Sequence, residues 1–236
     1  PLSLHDALPI LGLLVRYWRA RVAAAADGAV AEHLAERTRG AAAGGGGAPG
    51  GVETPAAPGI SELGQEFLRR LQEPLTRTLA LSGRAMAPTL NRAWEEGKRG
   101  ELLMLRGLPS PSAASLAPGD VVAFTSPTDW TKTQVLRVAA LEGTEMVSSR
   151  PEDEPFTLKA GECWVLADND ELPVAEANDS RAFGPLRLTQ ILGRVVYSAR
   201  SPVDHAFVHN SGANAEEDCS VVENELDVER MFAAPA

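Results

Sequence analysis

Residues Asp120-Val-Val-Ala-Phe-Thr125 form a short run of β-branched and aromatic side chains, entered through Gly119 and left through Ser126-Pro127. A run of this length and composition between turn residues reads as a β-strand. Four more runs of the same texture surround it: Leu102-Leu-Met-Leu105, Val135-Leu-Arg-Val-Ala139, Cys163-Trp-Val-Leu166 and Ile191-Leu-Gly-Arg-Val-Val-Tyr197. Pro, Gly and Asp turns separate them, and no helical period shows between residues 100 and 200. The chain is therefore expected to be mainly β here, as a sandwich or folded barrel.

Outward from this block the texture changes. Upstream, Ile60, Leu63, Phe67, Leu68, Leu71, Leu75 and Leu79 recur at three and four residues, behind a Ser61 cap and Glu62 in the first turn. This spacing predicts an amphipathic helix over residues 59–81, kinked near Pro74, with its apolar stripe buried on the domain that follows. Residues 39–58, rich in Gly, Ala and Pro, read as a flexible linker, since that composition builds no packed core. Residues 1–38 are Ala-rich with interspersed Arg and Glu and are expected to be helical. The β domain is expected over residues 82–210. An acidic tail over 211–236 follows, with one short helix around Glu223–Phe232.

The 236 residues carry a net charge of −10, which argues against nucleic acid and against an anionic membrane surface as partners. Two cysteines, Cys163 and Cys219, permit at most one bridge and lack metal-ligand spacing; two free, buried thiols are the expectation. The apolar stretch Ala7–Val15 is stopped by Arg16 and falls well short of the ~20 residues a membrane span needs. The segment through Arg21 reads first as a short packed or frayed helix, with an amphipathic helix lying on a membrane or a partner as the alternative. No Walker loop, Rossmann fingerprint or Cys-x-x-Cys pair occurs, so no cofactor and no metal are expected. His205 and His209 are four apart beside Asp204, which is metal-like only on a helix, and their surroundings read as loop or strand. A Ser-His-Asp arrangement through either histidine lacks a Gly-x-Ser-x-Gly context.

Three blocks stand in a telling order. The first is Gly83-Arg-Ala85-Met86-Ala-Pro88-Thr89-Leu90. The second is Gly119-Asp120-Val-Val122, followed by Val135-Leu136-Arg137-Val138 and on to Gly143. The third is Cys163-Trp-Val-Leu166-Ala167-Asp168-Asn169, then Asn178-Asp179-Ser180-Arg181-Ala-Phe-Gly184-Pro185, then Ile191-Leu-Gly193-Arg194. Over residues 80–200 they resemble the type I signal peptidase family, in particular its mitochondrial inner-membrane peptidase branch. That family runs Ser-Met-x-Pro-Thr, Gly-Asp-x-Val, Lys-Arg-Val, Gly-Asp-Asn and Asp-Ser-Arg. The run from Ala139 to Val147 and Val203-Asp204-His205 are similar to a plant and green-algal branch of peptidase-like proteins with a degenerate Ser/Lys dyad.

The resemblance implies a serine nucleophile, a lysine base held neutral by apolar surroundings, and an oxyanion hole. The serine position, just before Met-x-Pro, is Ala85; the lysine position, just before Arg-Val, is Leu136. Ser82 is three residues away, roughly 10 Å of extended chain, unless a tight turn closes the gap. Among the three lysines, Lys98, Lys132 and Lys159, Lys132 lies nearest, about 13 Å along a strand from the base position. Ser82 and Lys132 are thus the substitute candidates, and both sit off the expected places. The scaffold positions persist: Met86 and Pro88 in the cleft turn, Asp120 at strand entry, Asp168 and Asn169, and the pair Asp179 and Arg181 that braces the site floor.

What the resemblance implies for function is a catalytically inactive homologue, serving as a structural or regulatory subunit of a mitochondrial, membrane-associated complex. Its contact with the inner membrane would be peripheral, and a peptidase paralogue is a candidate partner. The alternative is an active serine endopeptidase that removes mitochondrial targeting peptides, alone or completed by a paralogue bearing the Ser-Lys dyad.

Overall fold

The structure, a computed structural model, describes residues 4–43, 60–94, 100–147 and 154–233. It divides into two units, Pro1–Leu75 and Thr76–Ala236.

The first unit is a helix pair, α1 (Leu4–Ala43) and α2 (Ile60–Gln72). Helix α1 runs through Gly40 into what reads as linker. Three alanines follow that glycine, and their propensity outweighs its cost of about 1 kcal/mol. The remaining linker residues lie outside the described ones. Helix α2 is shorter than its leucine spacing predicts. It stops at Gln72 because Pro74 supplies no N–H and restricts the residue before it. Residues Thr76–Ala80, expected in the same helix, are a strand. The stripe on α2 faces α1: Leu63, Phe67 and Leu71 are half-buried there, and Arg21 of α1 donates to the carbonyls of Leu71 and Glu73. Gly28 is the point of closest approach, since a Cβ there would lie 2.6 Å from the Arg70 guanidinium. Arg70 in turn pairs with Glu32.

The second unit is built on an eight-stranded antiparallel sheet in the order β1-β2-β9-β3-β4-β7-β8, with β10 beside β9. Its strands are β1 (Thr76–Ala80), β2 (Leu102–Gly107), β3 (Val121–Thr125), β4 (Thr133–Leu141), β7 (Glu162–Leu166), β8 (Leu186–Arg187), β9 (Ile191–Ser201) and β10 (Asp204–Phe207). A separate two-residue hairpin pairs β5 (Glu145–Met146) with β6 (Phe156–Thr157). All five strands read from the sequence are present. Register shifts at Met104/Leu105, Ala123/Phe124 and Val138/Ala140 bend the ladder. The sheet curls into an open half-barrel, whose end strands β1 and β8 do not pair with each other.

Strand β2 is buried along Leu102–Arg106 because both of its faces are covered. Leu103 and Leu105 enter the main core with Met86, Phe124, Leu136 and Val195. Leu102 and Met104 alternate to the opposite face, where Val222 and Met231 close a second core.

Those last two residues correct the expected acidic tail. Residues beyond Ser211 form two helices, α5 (Ala215–Glu225) and α6 (Val228–Ala233), and α5 docks on β9. The break between them falls at Asp227, whose carboxylate accepts from the Arg230 N–H and starts a new helix. Asp218 fastens α5: it accepts two hydrogen bonds from the buried Arg194 (2.7 Å each) and one from Arg106 (2.9 Å). Two four-residue helices, α3 (Val174–Ala177) and α4 (Ser180–Phe183), precede β8.

Candidate functional site

A cleft of about 700 Å³ opens in the second unit. One wall is β1 and the loop after it, through Met86; the other is the start of β4; Leu172 and α3 close the floor. Ser82, Ala85, Lys132 and Leu136 all line it. The fold thus brings both dyad positions and both substitute candidates into one cavity.

The loop bearing Ala85 leaves β1 at Leu81 and turns at Gly83, where φ is +83°. Because of that turn, Ser82 and Ala85 are not joined by extended chain. Asn91 pins the far end of the loop. Its carboxamide donates to the carbonyls of Leu81 (3.3 Å) and Gly83 (2.8 Å), and its backbone N–H donates to the buried Glu101 carboxylate. Met86 is 1% exposed and anchors the loop in the core, while Pro88 faces solvent.

The scaffold residues make concrete contacts. The Asn169 N–H donates to the Ala85 carbonyl at 3.0 Å, and its side-chain amide donates to the Arg84 carbonyl at 2.9 Å. Its neighbour Asp168 accepts a bidentate pair from Arg137 at 2.8 and 2.7 Å. Arg137 also donates to the carbonyls of Gly119 and His209, so one guanidinium ties four segments together. Asp120 accepts from the Ala117 N–H and from the N–H and hydroxyl of Ser211. Asp179 is fully buried and caps α4. It accepts from the backbone N–H groups of Ala167 and Arg181 and from the Arg181 guanidinium. Burial works to raise the Asp179 pKa, but the Arg181 side chain and the two N–H groups outweigh it and hold the carboxyl below its ordinary value.

The chemistry of the cleft follows from its occupants. Ala85 presents a methyl group and packs against the main core. Leu136 is 2% exposed within that core, paired across the ladder with Val122. Lys132 is 74% exposed at its side chain and pairs with Asp129 at 3.1 Å. This is the opposite of the apolar enclosure that a lysine base requires. Bonds from Thr131 and then Lys132 hold the Asp129 carboxyl below its usual range. Ser82 is exposed, and no described basic group is bonded to its hydroxyl.

Two features of the cleft were not read from the sequence. Gln134 lies two residues before Leu136, hence on the same face of β4, and its side-chain oxygen is buried without a hydrogen-bond partner. Strand period alone could have placed it. Second, β4 pairs with β7 only from Arg137 onward, so residues 133–136 keep one free backbone edge in the cleft wall. Facing it, β1 pairs with β2 alone among the described strands. That opening depends on where β7 departs, which no local signal records.

Away from the cleft, His205 lies in β10 and shares a 2.8 Å hydrogen bond with the Tyr197 hydroxyl. Cys163 and Cys219 form no disulfide: Cys163 is buried, which pushes its pKa up to about 12, whereas Cys219, expected to be buried as well, is only partly so and its thiol donates to Glu223. Among the described residues, no group of three or more His, Cys, Asp or Glu side chains is placed to hold a metal ion.

No protein-family model matches the chain. It is 43% identical over 129 residues to the mitochondrial ATP-independent inner membrane protease subunit 2 of Arabidopsis thaliana, covering 55% of this chain and 63% of that relative. It is 27% identical over 133 residues to the mitochondrial inner membrane protease subunit 1 of Mus musculus, and 26% identical to that of Homo sapiens. Each of those matches covers 55% of this chain and 73% of the relative. The chain thus spans less than two thirds of the length of the plant relative.

Proposed function

We propose, from the premise that this chain belongs to the signal peptidase I family, that it is a catalytically inactive member of that family which holds a polypeptide in the old cleft and serves as a structural or regulatory subunit. Like its relatives, it is assigned to the mitochondrion at the inner membrane. The observation that carries the reading is Leu136, buried in the apolar core at the position the family gives to its lysine base. A leucine there needs no polar partner and accepts no proton, and Ala85 opposite it carries no nucleophile.

Binding survives where catalysis does not. The free edge of β4 and the unpaired side of β1 offer backbone donors and acceptors to an extended chain, as in β-strand addition. The orphaned Gln134 oxygen gains a hydrogen bond when such a chain supplies an N–H, and leaving it unmade costs about 1–3 kcal/mol. Apolar side chains such as Leu79, Met86 and Leu172 suit small or apolar residues of the bound segment.

A second reading is favoured by one observation: Ser82 lines the same cleft as Lys132. It makes the chain an endopeptidase acting on mitochondrial targeting peptides, alone or with a paralogue that supplies the dyad. One experiment separates the two. Purified protein is incubated with presequence peptides, and both binding and cleavage are followed. Binding without cleavage supports the first reading; cleavage abolished by Ser82→Ala overturns it.

A further inference from the structure

The loop from Leu81 to Met86 forms one wall of the cleft, and two residues that do not line the cleft hold it. Asn91 and Glu101 bond to each other reciprocally. The Asn91 N–H donates to the Glu101 carboxylate, and the Glu101 N–H donates to the Asn91 side-chain oxygen at 3.1 Å. Each then reaches the loop. The Asn91 amide donates to the carbonyls of Leu81 and Gly83, and the Leu81 N–H donates to the Glu101 carbonyl at 2.8 Å. Two local features permit so tight a clasp. Asn91 has φ of +56°, a left-handed conformation that asparagine tolerates. Gly100 has no side chain, and a Cβ there would lie 1.6 Å from the Leu81 carbonyl oxygen.

A charge outside the cleft supports the clasp. The Glu101 side chain is 2% exposed. One of its oxygens takes the Asn91 bond; the other, Oε1, makes no hydrogen bond among the described residues. Arg200 of β9 brings its Nε to 3.5 Å from that oxygen. The same guanidinium lies 3.2 Å from Asp204 on β10, whose side chain is 58% exposed. An exposed pair contributes little, because water and salt screen it. A buried carboxylate stripped of its cation keeps the cost of desolvation without the attraction that offset it. Loss of the Arg200 charge is therefore felt at Glu101 more than at Asp204.

We infer that Arg200, Glu101 and Asn91 are positioning residues for the cleft. The Arg200 charge steadies the Glu101 carboxylate, the carboxylate holds Asn91, and Asn91 holds the loop that carries Ser82 and Ala85. The order of one cleft wall is thus set from the β9–β10 hairpin on the other side of the clasp. The consequence for a bound peptide rests on the peptide-holding reading above; the positioning itself does not.

The test is amide hydrogen exchange of the full 236-residue chain, read over residues 81–91. Arg200→Gln is expected to quicken exchange there about fivefold or more, with β3 and β4 unchanged. Arg200→Lys keeps the cation and is expected to stay within about twofold of the unaltered chain. Glu101→Gln removes the charge that Arg200 serves and still accepts the Asn91 bond. In that background Arg200→Gln is expected to add no more than about twofold, since a neutral amide needs no cation. Circular dichroism melting checks that each variant is folded; should Glu101→Gln unfold, the contrast between Arg200→Gln and Arg200→Lys decides. The inference is overturned if Arg200→Gln leaves exchange unchanged, if Arg200→Lys quickens it as much, or if Arg200→Gln acts equally with and without the Glu101 charge. Presequence peptide binding is measured alongside and is expected to weaken several-fold in Arg200→Gln. A chain that shows the exchange pattern but binds no peptide supports the positioning and tells against the peptide-holding reading alone.

Discussion

The backbone N–H of Asn169 donates to the carbonyl of Ala85 at 3.0 Å, so the turn that follows β7 holds the loop on which we place the nucleophile position. Through Asp168, the same turn is fixed to Arg137 on β4, next to Leu136. The mutual placement of the two dyad positions is therefore braced by contacts that involve neither of their side chains. A site built this way would keep its geometry whichever side chains stand at those two positions.

Restoring the side chains should test that geometry directly. Ala85→Ser with Leu136→Lys is expected to gain presequence cleavage, about 100-fold or more above the unaltered chain, while either change alone gains none. Leu136→Lys alone is expected to lower stability by about 3 kcal/mol, because it places an ammonium in an apolar core. Peptide hydrolysis assays and urea titration read the two effects.

Removing the brace should loosen the cleft without touching its lining. Asn169→Ala deletes the amide bond to the Arg84 carbonyl and is expected to cost about 1 kcal/mol. Weaker peptide binding, measured by fluorescence anisotropy, should accompany it.

The Asp179 carboxyl is held below its ordinary value, so its linkage has the sign of a depressed acid. Its stabilisation is fully present above the unfolded carboxylate pKa and is lost as pH falls through the folded one. Asp179→Asn is therefore expected to lower the melting temperature at neutral pH and to flatten its fall below about pH 4. Melting curves across pH would show both effects.

Asp218→Ala leaves the 1% exposed Arg194 without its main partner. Removing one member of a buried pair typically costs about 3–5 kcal/mol, and α5 is expected to detach first. Hydrogen exchange should show Val221 and Val222 losing protection before the strands do.

Gly193 faces the carbonyl of Arg106, and a Cβ there would lie 2.1 Å from that oxygen. Backbone cannot yield as a flexible side chain can. Gly193→Ala is expected to cost about 3 kcal/mol or more in urea titration, because β2 and β9 must separate locally.

Legibility followed the range of the interactions. The five buried strands were readable because their side chains go to a core whichever strand lies beside them. The leucine spacing predicts a helix where the structure has strand β1. Leu75 just before it and Leu79 within it continue a helical spacing, and only the ladder with β2 decides against a helix. Helix α5 was missed because its buried polar anchor, Asp218, is apolar-compatible only once Arg106 and Arg194 surround it. At the site, Asp168, Asn169, Asp179 and Arg181 were identified by motif, and their bonds were not. Gln134 and the free edge of β4 had no motif.

By itself, the sequence determined a mainly β domain and the motif order that, by resemblance, puts Ala85 and Leu136 where a serine and a lysine are expected. Side-chain identity and strand period are local properties, and they need no partner to be read. Tertiary structure alone decided that Ser82, Lys132 and Gln134 share one cleft with those positions, and that the acidic C-terminal residues close a second core. The reason is pairing. Where one strand leaves another, and which buried charges meet, are set by chain segments far apart in sequence and become definite only when the sheet closes on them.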